Sequence, residues 1–387
     1  MMKFNLLFIT PVNLAYPGGV ERWLKELSQL LRSRGNSISI LQTKWIPHTT
    51  SILDPKKITT QNTTIHNCRY LKVPGVETVV IDPNNVIKIL QESLNLNNID
   101  LVYHLVYPPN EIILGYIAKV IKMTAIAGIH FSFSTLIERA KWKLYFPIFL
   151  QGLRQYKVIH VLNQHVYDYL ETLGFSNVYF ISNGINTSKF YVDNADVFTV
   201  YWSGRFTYDK GADIAIDIVR AFNDHYSHEV EKKEVLFVFS GTGDKKYEKK
   251  IKELSKKYNN VKYLGFVPDA LLPQCYATSN LFLVTSRVEG MPIRVLEATA
   301  SGLPVVSSNI PGVIEILHTT KIGSLVKPNN VTAFIRAIKK FYKLWKENPS
   351  YYFYIKKIIR NRTIMNYDWN VIIPRFESML AYAIRTL

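Results

Sequence analysis

The stretch EGMPIRVLEATASGLPVVSS, from Glu289 to Ser308, decides how the rest of the chain is read. Pro292 has a fixed φ and no N–H to lose, which suits the first turn of a helix. Gly302, with Pro304 two residues later, is a stop signal. The spacing predicts a helix from about Pro292 to Ser301, with Glu289 just before its N-terminus and Glu297 about one and a half turns inside it. LPVVSS after the helix and NLFLVTS before it (Asn280 to Ser286) are short apolar runs of the kind that buried parallel strands require. The whole is a βαβ unit whose strand-to-helix loop carries Glu289, and ligands of open α/β sheets collect at that edge. The free N–H groups and the dipole of the first helical turn favour an anion there.

Outward from this unit the alternation repeats. Towards the N-terminus FNLLFI, GVERWLKELSQLLRSRG, SISIL, DLVYHLV, EIILGYIAKVIK, TAIAGIHFS, VIHVLN, HVYDYLETLG and NVYFISN form a run of βα units. The pattern lapses over SNGINTSKFYVDNADVF (Ser182 to Phe198) and restarts with FTVYWSGR, KGADIAIDIVRAFNDHY, EVLFVFSG, KKYEKKIKELSKKY and VKYLGFV. From Val331 to Leu387 the chain reads as helical. Two doubly wound α/β domains facing across a cleft account for the order, with the boundary set at 185/186.

The bulk composition agrees. A chain of 387 residues, 48% hydrophobic and 20% charged, is globular and too long for one ordinary core. No apolar run approaches the roughly 20 residues that span a bilayer. The opening MMKFNLLFITPVN reads as a first strand and not a signal peptide. Cys68 and Cys275 are too few for a disulfide framework or a metal site and fit a reducing compartment, so a cytoplasmic location is expected. The net charge of +17 is spread evenly, +8 over residues 1–190 and +9 over 191–387. No Lys/Arg block marks a nucleic-acid arm, and the charge favours polyanions and anionic membranes without choosing between them. Residues 139–157 interleave Arg139, Lys141, Lys143, Arg154 and Lys157 with Trp142, Tyr145, Phe146 and Phe149. They read either as a helix lying on an anionic membrane surface or as two ordinary helices broken at Pro147 with snorkelling lysines.

Four loops at strand ends combine glycine with charge. GGVER (Gly18 to Arg22) is either a backbone approach to a ligand or a tight turn. SGRFTYDKG (Ser203 to Gly211) carries Arg205 and Lys210, and a fork and a point charge so spaced suit a diphosphate; either alone would be an ordinary surface cation. SGTGD (Ser240 to Asp244) is by itself a structural turn. The fourth is the Glu289–Glu297 loop. His130, in AGIHFS, ends a small-residue strand and is either a satisfied structural histidine or a group facing the cleft. Nothing resembles a nucleophile elbow, a paired-cysteine metal site or a P-loop, which weakens hydrolase and NTPase readings.

In this order, GGVERWLKELSQLLRSRG, AGIHFS, SNGINTSKF, SGRFTYDKG, SGTGD, LGFVPD and EGMPIRVLEATASGLPVVSSNIPGVIEIL, the chain resembles the retaining glycosyltransferases of the two-Rossmann-domain GT-B fold. The resemblance is to the family 4 (group 1) type, and the two glutamates eight positions apart are its most specific element. It implies that Glu297 holds the ribose hydroxyls of a UDP- or GDP-linked sugar and that Glu289 lies beside the sugar. Arg205 and Lys210 match the residues that hold the donor diphosphate. Gly18 and Gly19 match a loop approaching it from the first domain, and His130 the histidine near the sugar. Phe266 and Val267 match the base contacts, with Gly241, Gly290, Met291 and Ile293 also among the nucleotide-sugar-binding residues. YDWNVIIPRFESMLAYAI resembles the closing helix, at about 368–387, that returns to the first domain. No metal and no cofactor beyond the nucleotide-sugar co-substrate is implied, and the acceptor is a glycan, a lipid-linked or a small molecule. Asn36 replaces a histidine common after Arg-Gly, at a structural position, and Arg294, a bulky cation in the first helical turn, could reach phosphate or acceptor but reads as simply solvated. A sugar-nucleotide epimerase of the same fold and a catalytically silent nucleotide-sugar or polyanion-binding protein are the alternative readings.

Overall fold

The computed structural model describes residues 3–10, 14, 18–42, 65–67, 70–71, 80–81, 87–88, 99–106, 110–120, 122–133, 145–226 and 234–385. The chain divides into two units, Met1–Asn183 with Ile372–Leu387, and Gly184–Val371.

The first unit runs through β1 (Asn5–Thr10), α1 (Gly19–Ser33), β2 (Ser37–Gln42), β3 (Ile65–Asn67) and a short antiparallel pair, β4 (Tyr70–Leu71) with β5 (Val80–Ile81). It continues with β6 (Leu101–Leu105), α2 (Asn110–Val120), β7 (Ala125–Ile129), α3 (Phe146–Leu153), β8 (Val158–Val161), α4 (Gln164–Thr172) and β9 (Val178–Phe180). Among the described residues seven strands form one sheet in the order β3-β2-β1-β6-β7-β8-β9, every pairing parallel. The strand segments LLFI, LVYHL and AIAGI, apolar but for His104, are buried throughout, as parallel strands covered by helices are. Helix α1 buries Trp23, Leu24, Leu27 and Leu31, one stripe at helical spacing. Asn36 is structural, as expected: buried, it accepts from Phe4 N (3.0 Å) and donates to Leu31 O (2.8 Å), tying the start of β1 to the end of α1.

The second unit comprises β10 (Phe198–Ser203), α5 (Ala212–Ala221), β11 (Val235–Ser240), α6 (Lys245–Lys257), β12 (Val261–Tyr263), α7 (Leu272–Ala277) and β13 (Leu281–Val284). Then follow α8 (Ile293–Ala300), β14 (Val305–Ser308), α9 (Pro311–Thr320), β15 (Gly323–Val326), α10 (Val331–Glu347) and α11 (Pro349–Tyr367). The last helix, α12 (Trp369–Arg385), begins here and continues into the first unit. The sheet order is β12-β11-β10-β13-β14-β15, again wholly parallel. Both sheets thus start in the middle, wind to one edge, return and wind to the other. The order reverses between β1 and β6 in one unit and between β10 and β13 in the other, and such switch points are where doubly wound sheets bind ligands.

The helix expected over Pro292 to Ser301 is α8, with Pro292 as its N-cap. One strand is not among those read from the sequence. GSLV (β15) is a strand that the apolar pattern does not announce, because this edge strand is half-exposed and alternates. Pro147 sits in the first turn of α3, where its missing N–H costs nothing, and residues 134–144 before it lie outside the described residues. Arg139, Lys141, Trp142 and Lys143 lie outside the described residues, as does Cys68. Of the described remainder of 139–157, Phe149 is buried and Arg154 stacks its guanidinium 4.8 Å from the Phe175 ring. Among the described residues no helix is long and apolar enough to cross a membrane.

Candidate functional site

At the switch point of the second unit, the loops leaving β10 and β13 are laced together. Trp202 Nε1 donates to Thr285 Oγ1 (3.0 Å), which in turn donates to Gly211 O (2.9 Å). Gly211 lies in the left-handed region at φ +64°, and a Cβ there would come within 2.0 Å of Thr285 O, so only glycine lets the loops close. Arg287 forms a bidentate pair with Asp213 (2.8 and 2.7 Å), donates to Tyr208 O (2.7 Å) and lies 3.7 Å over the Tyr208 ring. This planar fork is a lysine-intolerant brace.

Within that frame Lys210 Nζ sits 2.6 Å from Glu289 Oε1, and Ser286 Oγ donates to the same oxygen at 2.7 Å. The Lys210 and Glu289 side chains are 26% and 11% exposed, so the pair faces an opening and is not sealed in the core. Arg205, on the same loop as Lys210, is exposed and has no side-chain partner among the described residues. The N-terminus of α8, with Gly290, Met291 and Ile293, follows directly. Lys210 and the α8 N-terminus therefore meet beside one carboxylate, with Arg205 exposed on the same loop, and a helix dipole end with a cation at it favours an anion.

Arg294 corrects the expectation of a solvated cation. It is half-buried in the first turn of α8 and donates to Ser203 Oγ at the end of β10. Ser240 Oγ donates to the same oxygen (2.8 Å), and the Tyr201 hydroxyl lies 2.6 Å behind Ser240. Glu297 is also corrected. A residue expected to hold ribose hydroxyls should be open to a ligand, whereas Glu297 is 1% exposed and its Oε2 accepts from the Tyr276 hydroxyl at 2.8 Å. The reason is α7, whose Tyr276 packs across α8 against Tyr201 and Phe282.

The glycine turn after β11 meets the loop after β12. Gly241 N donates to Gly265 O (2.7 Å), and Gly241, at φ +122°, would place a Cβ 1.9 Å from Gly204 O. Next to this contact Phe266 is 50% exposed, and Val267 is half-buried. The structure thus brings Arg205, Lys210, Glu289, Gly290 and the Gly241–Phe266 loops to one edge of one sheet.

Gly18, Gly19 and His130 belong to the other unit. Gly18 caps α1 and Gly19 opens it, with the Glu21 carboxylate folded over Gly18. His130 follows β7, half-buried, its ring 4.3 Å from that of Trp23 and its Nε2 3.2 Å from the Tyr103 hydroxyl. Burial first, and His160 second, hold its imidazole well below the ordinary range, so the ring is neutral at pH 7. Sequence reasoning missed Arg287, Asp213, Ser286, Tyr103 and Tyr276. The partners of Arg287, Asp213, Tyr103 and Tyr276 lie on other elements, and Ser286, three residues before Glu289, is one serine in a loop that no local pattern marks.

Comparison with known proteins gives this geometry its context. A family model described as glycosyl transferases group 1 matches residues 186–357, and one described as glycosyltransferase family 4 matches residues 17–189. One subunit of the Arabidopsis thaliana phosphatidylinositol N-acetylglucosaminyltransferase is 27% identical over 218 residues, 54% of this chain and 45% of its own. The Escherichia coli O-antigen chain mannosyltransferase B is 40% identical over 73 residues, 19% of each chain. These matches span less than half of either relative's own length. Among solved structures, sucrose-phosphate synthase from Thermosynechococcus elongatus superposes over 100% of both chains with a TM-score of 0.76 at 16% identity. Anabaena HepE in complex with UDP-glucose covers 99% of this chain and 100% of its own with a TM-score of 0.73 at 18% identity. With both family models together reaching from residue 17 to 357, the chain belongs to the group 1, family 4 glycosyltransferases and has their GT-B fold.

Proposed function

We propose that the protein transfers a hexose from a UDP- or GDP-linked donor to an acceptor hydroxyl with retention at the anomeric carbon. The observation that carries this reading is Lys210 held 2.6 Å from Glu289 just before the α8 N-terminus, on the same switch-point loop as the exposed Arg205. In the transfer the bond from the anomeric carbon to the diphosphate oxygen breaks, and a bond to the acceptor oxygen forms on the same face of the sugar. The acceptor proton passes to the departing phosphate oxygen. Negative charge grows on the diphosphate as it leaves, and two cations plus a helix dipole stabilise that charge more than the ground state. Lys210 exchanges its carboxylate partner for phosphate, which leaves the Glu289 carboxylate free beside the sugar. Glu297, held by Tyr276, meets the ribose, and Phe266 and Val267 flank the base. UDP-glucose in the Anabaena neighbour supports a nucleoside diphosphate donor, and the acceptor is a glycan or lipid-linked hydroxyl.

The test is release of nucleoside diphosphate from a panel of UDP- and GDP-sugars, with and without candidate acceptors. Acceptor-dependent release with a retained anomer is expected. Interconversion of the sugar nucleotide without release would establish the epimerase reading. Turnover is expected to persist in EDTA, because the cations that neutralise the leaving group are side chains; loss of turnover restored by Mg²⁺ or Mn²⁺ would contradict this.

A further inference from the structure

We propose that Tyr103 and His160 are positioning residues that hold His130 in its Nε2–H tautomer, so that the Nδ1 lone pair is left to accept from a substrate hydroxyl. The proposal rests on the sugar-transfer reading above for its last step only.

A backbone carbonyl fixes the first proton. His160 Nε2 lies 2.8 Å from Ile181 O, and a carbonyl only accepts, so Nε2 carries a proton. Burial pushes the His160 pKa down to about 4 against the opposing hydrogen bond to Ile181, so the ring is neutral and its Nδ1 is an acceptor. The Tyr103 hydroxyl lies 2.5 Å from that Nδ1 and must donate to it. Burial raises the phenol well above its ordinary range, so the proton stays on oxygen. Tyr103 has one proton and has spent it. Its oxygen, 3.2 Å from His130 Nε2, can therefore only accept, and His130 Nε2 is the donor. A neutral ring protonated at Nε2 bears its lone pair at Nδ1, and that nitrogen has no partner among the described residues.

The packing is built for this chain of three bonds. Tyr103 is fully buried on β6, and its hydroxyl crosses the neighbouring strand β7 at Gly128, where a Cβ would stand 2.2 Å from the oxygen. Trp23 and Phe376 close the sides at 5.9 and 5.5 Å from the Tyr103 ring. A histidine in this state accepts from a hydroxyl and is no proton donor to the leaving group.

The experiment uses the full chain labelled with ¹⁵N-histidine and reads the tautomers by long-range proton–nitrogen correlation, with His130→Gln to assign the ring. Nε2–H is expected for both His130 and His160. In Tyr103→Phe the His130 ring is expected to populate both tautomers. Its kcat for sugar transfer should fall about tenfold, the worth of one oriented hydrogen bond. A parent spectrum with Nδ1–H on His130 overturns the proposal, and so does an unchanged tautomer in Tyr103→Phe. The parent spectrum decides by itself should the variant not fold. If the parent shows the expected tautomers but releases no nucleotide from any donor, the transfer reading fails and the relay stands.

Discussion

Lys210 and Glu289 are 79 positions apart in sequence and 2.6 Å apart in space, and what each residue can do follows from its neighbours. Glu297 shows this most sharply. Because its carboxylate is buried under the Tyr276 hydroxyl, Glu297→Ala removes an acceptor from the interior and should lower stability by about 1–3 kcal/mol as well as weaken donor binding. Glu297→Gln keeps a hydrogen-bonding group in the same space and should restore most of the stability while donor affinity stays reduced. Melting of the alanine variant at the parent temperature would contradict the buried placement. At this scale the sequence was half legible. Glu289 just before a Pro-led helix could be read from spacing alone, because caps and turns are local. The burial of Glu297 and the bond from Arg294 to Ser203 could not, since each partner arrives from another helix or strand.

At the scale of elements, periodicity located most of the helices and strands that matter, because a buried parallel strand and an amphipathic helix each impose a repeat on their own residues. β15 escaped because an edge strand is partly solvated and need not be apolar. The lacing of the β10 and β13 loops was invisible for the same reason as Arg294, yet it gives the cations their places. Gly211→Ala tests it. The added methyl meets Thr285 O, and separating the two loops should cost roughly 2–4 kcal/mol and most of the donor affinity. Denaturant melts of parent and variant measure this, and equal midpoints would show that the loops are not held by the close approach.

For the whole molecule, two switch points on two parallel sheets set where ligands can go, and the buried groups set the conditions under which each unit persists. His104 and His160 are both fully buried in the first unit, and burial lowers their pKa values to about 3 and about 4. Unfolded imidazoles titrate near 6.5, so the stability these neutral rings contribute is complete above that pH and is lost as pH falls towards the folded values. Each should cost roughly 3 kcal/mol at pH 4 relative to pH 7. In His104→Gln the acid loss should shrink by about that amount, and an identical pH slope in parent and variant would exclude the mechanism. The net charge of +17 belongs to this scale too, and any membrane contact through residues 139–157 should weaken with salt. The central claim is that the cation pair at the second switch point holds the donor diphosphate. Its most direct test is thermal-shift titration of UDP, GDP and their sugars against the parent and an Arg205→Ala, Lys210→Ala double variant. The account predicts saturable stabilisation of the parent, about 2.7 kcal/mol at 100 times Kd, and its loss in the variant. Equal stabilisation of both proteins by the preferred nucleotide, or none of the parent by any, would contradict it.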